Sequence, residues 1–188
     1  MRKTPDLIVI GGSWGGIKAS LEILQGLPED YKIPIVLVLH RLRDQEGNLK
    51  QLFDKRLNLK VEEVEDKEAV CSGYVYIAPA NYHVLLENDK SFSLDVSDLV
   101  NYSRPSIDVT FISAADTYGE GVIGILLSGA SKDGSMGLKR IADAGGIALV
   151  QDPAEAEVAV MPLAAIEAVP TCSVQGLNSL KDYLLSLT

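Results

Sequence analysis

A serine between closely spaced glycines follows the first apolar run of the chain. Residues 7–10, Leu-Ile-Val-Ile, lead into Gly-Gly-Ser-Trp-Gly-Gly at residues 11–16. Gly11, Ser13 and Gly15 have the Gly-x-Ser-x-Gly spacing of a nucleophile elbow, in which small neighbours expose the hydroxyl and backbone N–H groups point at a developing oxyanion. Ser13 is therefore a candidate nucleophile for acyl transfer. A glycine-rich nucleotide-binding turn and a plain tight turn are the alternatives.

The nucleotide alternative requires features from which this chain departs. A Gly-x-Gly-x-x-Gly fingerprint beginning at Gly11 needs glycine at position 13, where serine stands. In dinucleotide sites the second strand also ends in an acidic residue that binds the ribose hydroxyls, whereas here it ends in His40. Both differences argue against a nucleotide-binding turn and favour either a nucleophile elbow or a plain tight turn.

An acyl-transfer triad also needs an imidazole base and a carboxylate that fixes the imidazole tautomer. The chain has two histidines, His40 and His83, and only His40 ends a long apolar segment, Pro34–Leu39. A lone histidine is more often structural than catalytic. The choice of His40 as the candidate base therefore depends on where its strand lies.

Asp133 is the candidate carboxylate, because it lies in a second glycine-punctuated turn, residues 128–134, after another apolar strand. Asp108 and Asp152 are competing candidates. The structural alternative is that Asp133 caps the helix after Gly134. The chain order Ser, His, Asp also differs from the Ser, Asp, His order of α/β-hydrolases, so the elbow spacing does not by itself predict that fold.

The predicted elements place Ser13 and His40 side by side. Residues 7–10 are typical of a strand buried on both faces, apolar residues recur at helical spacing over residues 17–24, and residues 34–40 form a second apolar strand. Such a strand–helix–strand unit has a right-handed crossover and parallel strands. Because catalytic groups gather outside the carboxyl ends of parallel strands, we expect the two side chains to be neighbours.

The rest of the chain continues this alternation, apart from one hairpin. Two alternating segments flank Asn88-Asp89-Lys90 and predict an antiparallel pair. Ser106 is the predicted N-cap of a helix over residues 107–118. We therefore predict an α/β fold with a doubly wound, mainly parallel sheet, helices on both faces and an appended antiparallel hairpin. Further strands are predicted at residues 60–64, 74–79, 122–127 and 147–152, and further helices around residues 49–57, 138–142, 162–169 and 179–187.

Composition narrows the classes of function. A chain of 188 residues predicts a single domain, residues 1–188, and a formal net charge of −9 argues against nucleic acid or an anionic membrane as a partner. No apolar run approaches the roughly 20 residues of a membrane span, and no signal peptide is evident. Cys71 and Cys172 lie far apart without a metal-ligand pattern. We therefore expect a cytoplasmic protein with reduced cysteines, no bound metal and no cofactor.

An ordered set of motifs resembles the catalytic domain of the chemotaxis-receptor protein-glutamate methylesterases (CheB type). The resemblance covers most of the chain, and the set of motifs in order is far more specific than any one of them. The motifs are Gly11-Gly-Ser-Trp-Gly-Gly16, the strand ending in His40, Ala78-Pro-Ala-Asn-Tyr-His83, Ser103-Arg-Pro-Ser-Ile-Asp108, Ser128-Gly-Ala-Ser-Lys-Asp-Gly134, Gly145-Gly146, Gln151-Asp152, Met161-Pro162 and Ala164-Ala165.

The resemblance implies a serine hydrolase that removes methyl groups from glutamate γ-methyl esters on chemoreceptor helices and releases methanol. Deamidation of receptor glutamines would pass through the same acyl-enzyme. By resemblance Ser13 is the nucleophile, His40 the base and Asp133 the third member of the triad. The backbone N–H groups of Trp14 and Ala130 are the implied oxyanion donors. The implied partners are the cytoplasmic helices of methylated chemoreceptors.

The chain also departs from the family pattern, and a second hypothesis arises from these departures. Family members commonly have a small or hydroxyl residue at Trp14 and Met-Gly at Ala130-Ser131, and residues 41–46 lack a proline-rich continuation. An inactive or redirected scaffold that binds a signalling partner is therefore the alternative to an esterase. The N-terminal receiver domain of the full-length family is not expected in residues 1–188, so regulation would come from a separate response-regulator or receiver protein, or be absent.

Overall fold

Seven parallel strands form one sheet in the computed structural model, which describes residues 4–40 and 49–187. The strands lie in the order β3-β4-β2-β1-β7-β8-β9, and two further strands, β5 and β6, form a separate antiparallel pair. Their bounds are β1 Leu7–Gly12, β2 Ile35–Leu39, β3 Lys60–Glu63, β4 Tyr74–Ile77, β5 His83–Leu86, β6 Phe92–Asp95, β7 Val122–Leu126, β8 Ile147–Gln151 and β9 Ser173–Gln175.

Six α-helices cover the sheet within the described part of the chain. They are α1 Gly16–Leu24, α2 Leu49–Asp54, α3 Ile107–Tyr118, α4 Ser135–Asp143, α5 Val160–Ala168 and α6 Leu177–Leu185. One apolar core joins α1, α2 and α6 to one face of the sheet, and a second core joins α3, α4, α5 and the hairpin to the other face. The predicted doubly wound fold with an appended hairpin is therefore confirmed.

The central strand β1 pairs with β2 on one side and with β7 on the other, all in parallel. Every residue of these three strands is buried, which is why their sequences are continuous apolar runs without alternation. The chain first builds the sheet outward from β1 on the β2 side and then returns to build the β7 side. This reversal makes the carboxyl ends of β1, β2 and β7 the natural place for a site.

One strand, β9, has no predicted counterpart. It is three residues long, lies at the sheet edge beside β8, and its Ser173 and Val174 are exposed. A strand this short and this exposed has no run of apolar residues from which the sequence could predict it. It is recognised only by its pairing with β8.

The structure has no helix that is long and apolar enough to cross a membrane among residues 4–40 and 49–187.

Candidate active site

The turn after β1 holds Ser13 half-buried against the loop that follows β7. The Ser13 N–H donates to the Ser128 carbonyl oxygen at 2.9 Å. Gly15 has φ +79°, a conformation that side chains disfavour, and a Cβ on Gly129 would lie 2.9 Å from the Ser13 Cβ. Glycine at these positions therefore allows the sharp turn and the close approach of the two loops.

His40 follows β2 and lies beside the Ser13 turn, because its backbone N–H donates to the Gly12 carbonyl oxygen at 3.0 Å. The His40 side chain is 11% exposed, and its Nε2 lies 2.8 Å from Asp133 Oδ2. An ionised carboxylate only accepts hydrogen bonds, so Nε2 must carry a proton. In the neutral imidazole, Nδ1 is then the unprotonated nitrogen that can accept a proton.

Ser13 and His40 line the same cavity, but no hydrogen bond joins them in the described residues. The hydroxyl that contacts His40 Nδ1 is that of Ser103, at 3.4 Å. Hydrogen bonds between a catalytic base and its nucleophile often tighten only when substrate binds. The geometry therefore brings the candidate nucleophile and base to one cavity without yet forming their hydrogen bond.

Asp133 is fully buried and accepts five hydrogen bonds. Every partner is a donor, so the carboxylate is satisfied only in its ionised form. The donors are His40 Nε2 at 2.8 Å, Asn101 Nδ2 at 3.0 Å, Ser106 Oγ at 2.8 Å, and the backbone N–H groups of Ile107 at 2.7 Å and Asp108 at 3.1 Å.

This environment keeps Asp133 charged. Burial alone would raise the pKa of Asp133, but the hydrogen bonds from His40, Asn101, Ile107 and Ser106 outweigh it and lower the pKa to about 2. Two of the donors are the first backbone N–H groups of α3, where the helix dipole also favours a negative charge. An ionised carboxylate on Nε2 stabilises the positive charge that His40 gains when Nδ1 takes a proton.

The helix that Asp133 caps is α3, not the helix that comes after it in sequence. Gly134, the residue before α4, provides no side-chain cap. The predicted N-cap of α3 is confirmed, since Ser106 Oγ accepts from the Val109 N–H at 3.5 Å while donating to Asp133. The alternative that Asp133 caps the helix after Gly134 was therefore wrong, since Asp133 caps α3 instead. The same carboxylate caps α3 and contacts His40.

The other two candidate carboxylates do not contact His40. Asp108 accepts from the Gly137 N–H at 2.7 Å and from Asn101 Nδ2 at 2.8 Å, and burial raises its pKa. Asp152 instead accepts from the Ala154 N–H at 2.9 Å in the turn after β8. Of the three, the structure brings only Asp133 to the imidazole.

His83 occupies a different place. It is 1% exposed, its Nδ1 accepts from the Ser106 N–H at 3.1 Å, and its Nε2 donates to the Asp98 carbonyl oxygen at 3.0 Å. Both ring nitrogens are therefore occupied by the backbone. His83 supports the N-cap of α3 and does not line the cavity of Ser13 and His40.

The predicted oxyanion donors stand on the two loops that meet at Ser13. Neither the Trp14 N–H nor the Ala130 N–H donates a hydrogen bond within residues 4–40 and 49–187. Ala130 directly follows Gly129, at which an added Cβ would lie 2.9 Å from the Ser13 Cβ. Two N–H donors next to a candidate nucleophile, both without an acceptor among the described residues, are what a developing oxyanion requires.

A cavity of about 1240 Å³ opens above these groups. Its lining includes Ser13, His40, Ala130 and two exposed aromatic side chains, Trp14 and Tyr102. Trp14 Nε1 donates to Glu157 Oε1 at 2.7 Å, which holds the indole beside Ser13. A cavity of this volume has room for a side chain that projects from a larger partner.

The family model for CheB methylesterase matches residues 8–184. This chain belongs to the CheB methylesterase family. A relative from Leptospira interrogans is 46% identical over 182 residues, which cover 97% of this chain and 94% of the relative. A relative from Carboxydothermus hydrogenoformans, named protein-glutamate methylesterase/protein-glutamine glutaminase 1, is 35% identical over 184 residues.

The alignment with the Carboxydothermus protein covers 95% of this chain and 54% of that protein, so this chain spans about half its length. The crystal structure of the Thermotoga maritima CheB methylesterase catalytic domain matches with a TM-score of 0.92 and 34% identity. That match covers 99% of this chain and 100% of that one. The resemblance drawn from the motifs is therefore confirmed.

Sequence reasoning missed three residues that contact the site. Ser103 begins a motif in the sequence but has no assigned role there, and Asn101 and Glu157 carry no pattern at all. Their contacts with His40, Asp133 and Trp14 join residues at least 32 positions apart. The predicted departure at residues 41–46 lies outside the described residues.

Proposed function

We propose that this chain is a protein-glutamate methylesterase that uses Ser13 as nucleophile, His40 as base and Asp133 as the carboxylate that orients the base. Its substrates are glutamate γ-methyl esters on the cytoplasmic helices of chemoreceptors, which makes the cytoplasm its place of action. The observation that carries the proposal is the hydrogen bond from His40 to a buried, ionised Asp133 beside the Ser13 turn.

The first half-reaction transfers the acyl group to Ser13. His40 Nδ1 takes the proton from Ser13 Oγ as that oxygen forms a bond to the ester carbonyl carbon. The carbonyl oxygen becomes an oxyanion that accepts from the N–H groups of Trp14 and Ala130. The bond from carbon to the methoxy oxygen then breaks, and the leaving oxygen takes the proton from Nδ1 to depart as methanol.

The second half-reaction restores the enzyme. Water gives a proton to His40 Nδ1 while its oxygen attacks the acyl carbon, and the same two N–H groups bind the second oxyanion. The bond to Ser13 Oγ breaks, Oγ regains the proton from Nδ1, and glutamate is released. Asp133 remains ionised throughout and stabilises the imidazolium in both halves.

Deamidation of glutamine is a second reaction of the same site. The Carboxydothermus relative's name includes protein-glutamine glutaminase. The chemistry differs only in the first leaving group, which departs as ammonia after taking the proton from Nδ1, and the glutamyl acyl-enzyme is common to both substrates.

The alternative, an inactive scaffold, is not favoured. A scaffold needs no ionised carboxylate in its interior, since burying a charge is costly unless hydrogen bonds compensate for it. Here five donors compensate for the charge of Asp133, and one of them is the imidazole that lines the cavity. The departures at Trp14 and Ala130 alter side chains, while the proposed oxyanion donors are main-chain groups.

The test is methanol release from methylated receptor membranes, together with labelling by a fluorophosphonate serine probe. We expect the wild-type protein to release methanol and to be labelled at Ser13, and Ser13→Ala to do neither. Ser93→Ala, a serine substitution on the distant hairpin strand β6, is the matched control and should behave like wild type. A wild-type protein that neither labels nor releases methanol would support the scaffold.

A further inference from the structure

One tight turn touches both His40 and Asp133. Val100 and Ser103 exchange backbone hydrogen bonds, with distances of 3.2 Å from Val100 N to Ser103 O and 2.9 Å from Ser103 N to Val100 O. The two residues between them, Asn101 and Tyr102, have φ of 51° and 62°. Two consecutive left-handed residues without glycine are uncommon and occur where the surroundings hold them. We call residues 100–103 the 100–103 turn.

Asn101 uses one amide nitrogen to bridge two buried carboxylates. Its Nδ2 donates to Asp133 Oδ1 at 3.0 Å and to Asp108 Oδ2 at 2.8 Å. An amide NH₂ has two hydrogens, so each carboxylate receives one. Asn101 therefore holds Oδ1 of Asp133, while His40 donates to Oδ2. Because both carboxylate oxygens are held, rotation of the carboxylate is limited.

Ser103 contacts the other end of the imidazole. Its Oγ lies 3.4 Å from His40 Nδ1, the nitrogen that must accept the proton of Ser13. A hydroxyl suits both states of that nitrogen: it donates to the single lone pair of Nδ1 in the free site, rotates away when Ser13 donates there, and accepts from Nδ1–H after proton transfer. The 100–103 turn therefore contacts the imidazole directly through Ser103 and indirectly through Asn101 and Asp133.

We propose that Asn101 and Ser103 are positioning residues of the esterase site, which hold the His40 imidazole with Nε2 on Asp133 and Nδ1 facing the cavity. This inference rests on the proposed function and deepens it, since it names the groups that keep Nδ1 of His40 available as the base. The same turn places Tyr102, which is 98% exposed, at the cavity.

The first test compares turnover in variants of the full chain. Ser103→Ala should lower kcat about three- to tenfold, the loss expected for one hydrogen bond, with KM changed less than about twofold. Ser103→Thr keeps the hydroxyl and should restore most of that loss. Ser93→Ala and Asn88→Ala, which alter an uninvolved serine and an uninvolved asparagine of the hairpin, should match wild type.

Coupling between the two residues gives a sharper signature. Asn101→Ala should lower kcat roughly tenfold or more, because it removes a hydrogen bond to a charged group. Since both residues hold one imidazole, the double variant should lose less than the product of the two single losses. Thermal unfolding identifies any variant that fails to fold. If Asn101→Ala does not fold, the comparison of Ser103→Ala with Ser103→Thr decides alone.

Nitrogen NMR of His40 provides a readout that does not need turnover. In wild type the neutral ring should carry its proton on Nε2, and Asn101→Ala should increase the form protonated on Nδ1. The inference is overturned if Ser103→Ala keeps wild-type kcat, if Ser103→Thr is as slow as Ser103→Ala, or if wild type carries its proton on Nδ1. Absence of wild-type esterase activity would instead overturn the proposed function. The NMR measurement of the His40 tautomer would then still test whether Asn101 positions the imidazole.

Discussion

Asparagine at position 133 should damage both stability and turnover, although it is nearly the same size as aspartate. By size alone, Asp133→Asn would preserve capping and change the melting temperature by no more than a few degrees. The structure contradicts this expectation, because all five partners of Asp133 donate hydrogen bonds. An asparagine NH₂ group in place of one oxygen would face donors and leave them without an acceptor.

Two terms set the size of the loss of stability. The pKa of Asp133 is about 2 in the folded protein against an ordinary 3.8, and this difference corresponds to about 2 kcal/mol of stability at neutral pH. An unsatisfied buried donor adds about 1–3 kcal/mol. Together they predict a loss of about 3–5 kcal/mol, or a fall in melting temperature of roughly 6–20 °C for a domain of this size.

The pH dependence of that loss follows from the sign of the pKa shift. A carboxylate whose pKa is lowered by folding stabilises the protein above its unfolded pKa, and this stabilisation disappears as pH falls through the folded pKa. The difference in stability between wild type and Asp133→Asn should therefore be full at neutral pH and shrink between about pH 4 and pH 2.

The assays are thermal unfolding by circular dichroism and methanol release from methylated receptor membranes. Turnover of Asp133→Asn should fall roughly a hundred- to ten-thousandfold, because His40 loses the acceptor that fixes its tautomer and stabilises its cation. Asp152→Asn is the matched control, since its remaining oxygen can still accept from the Ala154 N–H. A melting temperature within about 2 °C of wild type would refute the stability argument. Normal turnover with a large loss of stability would make Asp133 purely structural.

Further substitutions separate the roles of the remaining residues. Ser13→Ala should leave the fold intact and reduce methanol release on the order of a millionfold; ordinary turnover would exclude Ser13 as the nucleophile. His40→Gln should be nearly as damaging in the same assay, whereas His83→Gln should reduce turnover much less, and equal losses would contradict the choice of base. Gly129→Ala should lower kcat, because its Cβ would lie 2.9 Å from the Ser13 Cβ, and unchanged kinetics would show that the loop can move away.

The sequence by itself determined the frame of the site. Residues 7–10, 34–39 and 122–127 are continuous apolar runs because their strands are buried on both faces. Ser13 lies just after the first run and His40 just after the second, and right-handed crossovers with parallel pairing bring both residues to one edge of the sheet. These signals are local or result from general rules of chain geometry, so they can be predicted without coordinates.

Only the tertiary structure decided which carboxylate faces His40. By spacing alone Asp108, Asp133 and Asp152 compete for this role, and the sequence favoured Asp133 through its glycine-punctuated turn and the motif resemblance, not through any contact with His40. The packing of the loop after β7 against the start of α3 brings Asp133 to the imidazole and to backbone donors 25 and 26 residues away. No local pattern encodes a contact between segments that meet only when the sheet and both helices are assembled.

The same reason explains why Asn101 and Ser103 could not be assigned roles. Their contacts with Asp133 and His40 span 32 and 63 residues, and they depend on a turn with two left-handed residues and no glycine to indicate it. The apolar runs of the strands and the alternation of strands with helices recur along the chain, so they can be predicted from the sequence. The orientation of one imidazole depends on single hydrogen bonds between distant loops, and those form only in the folded protein.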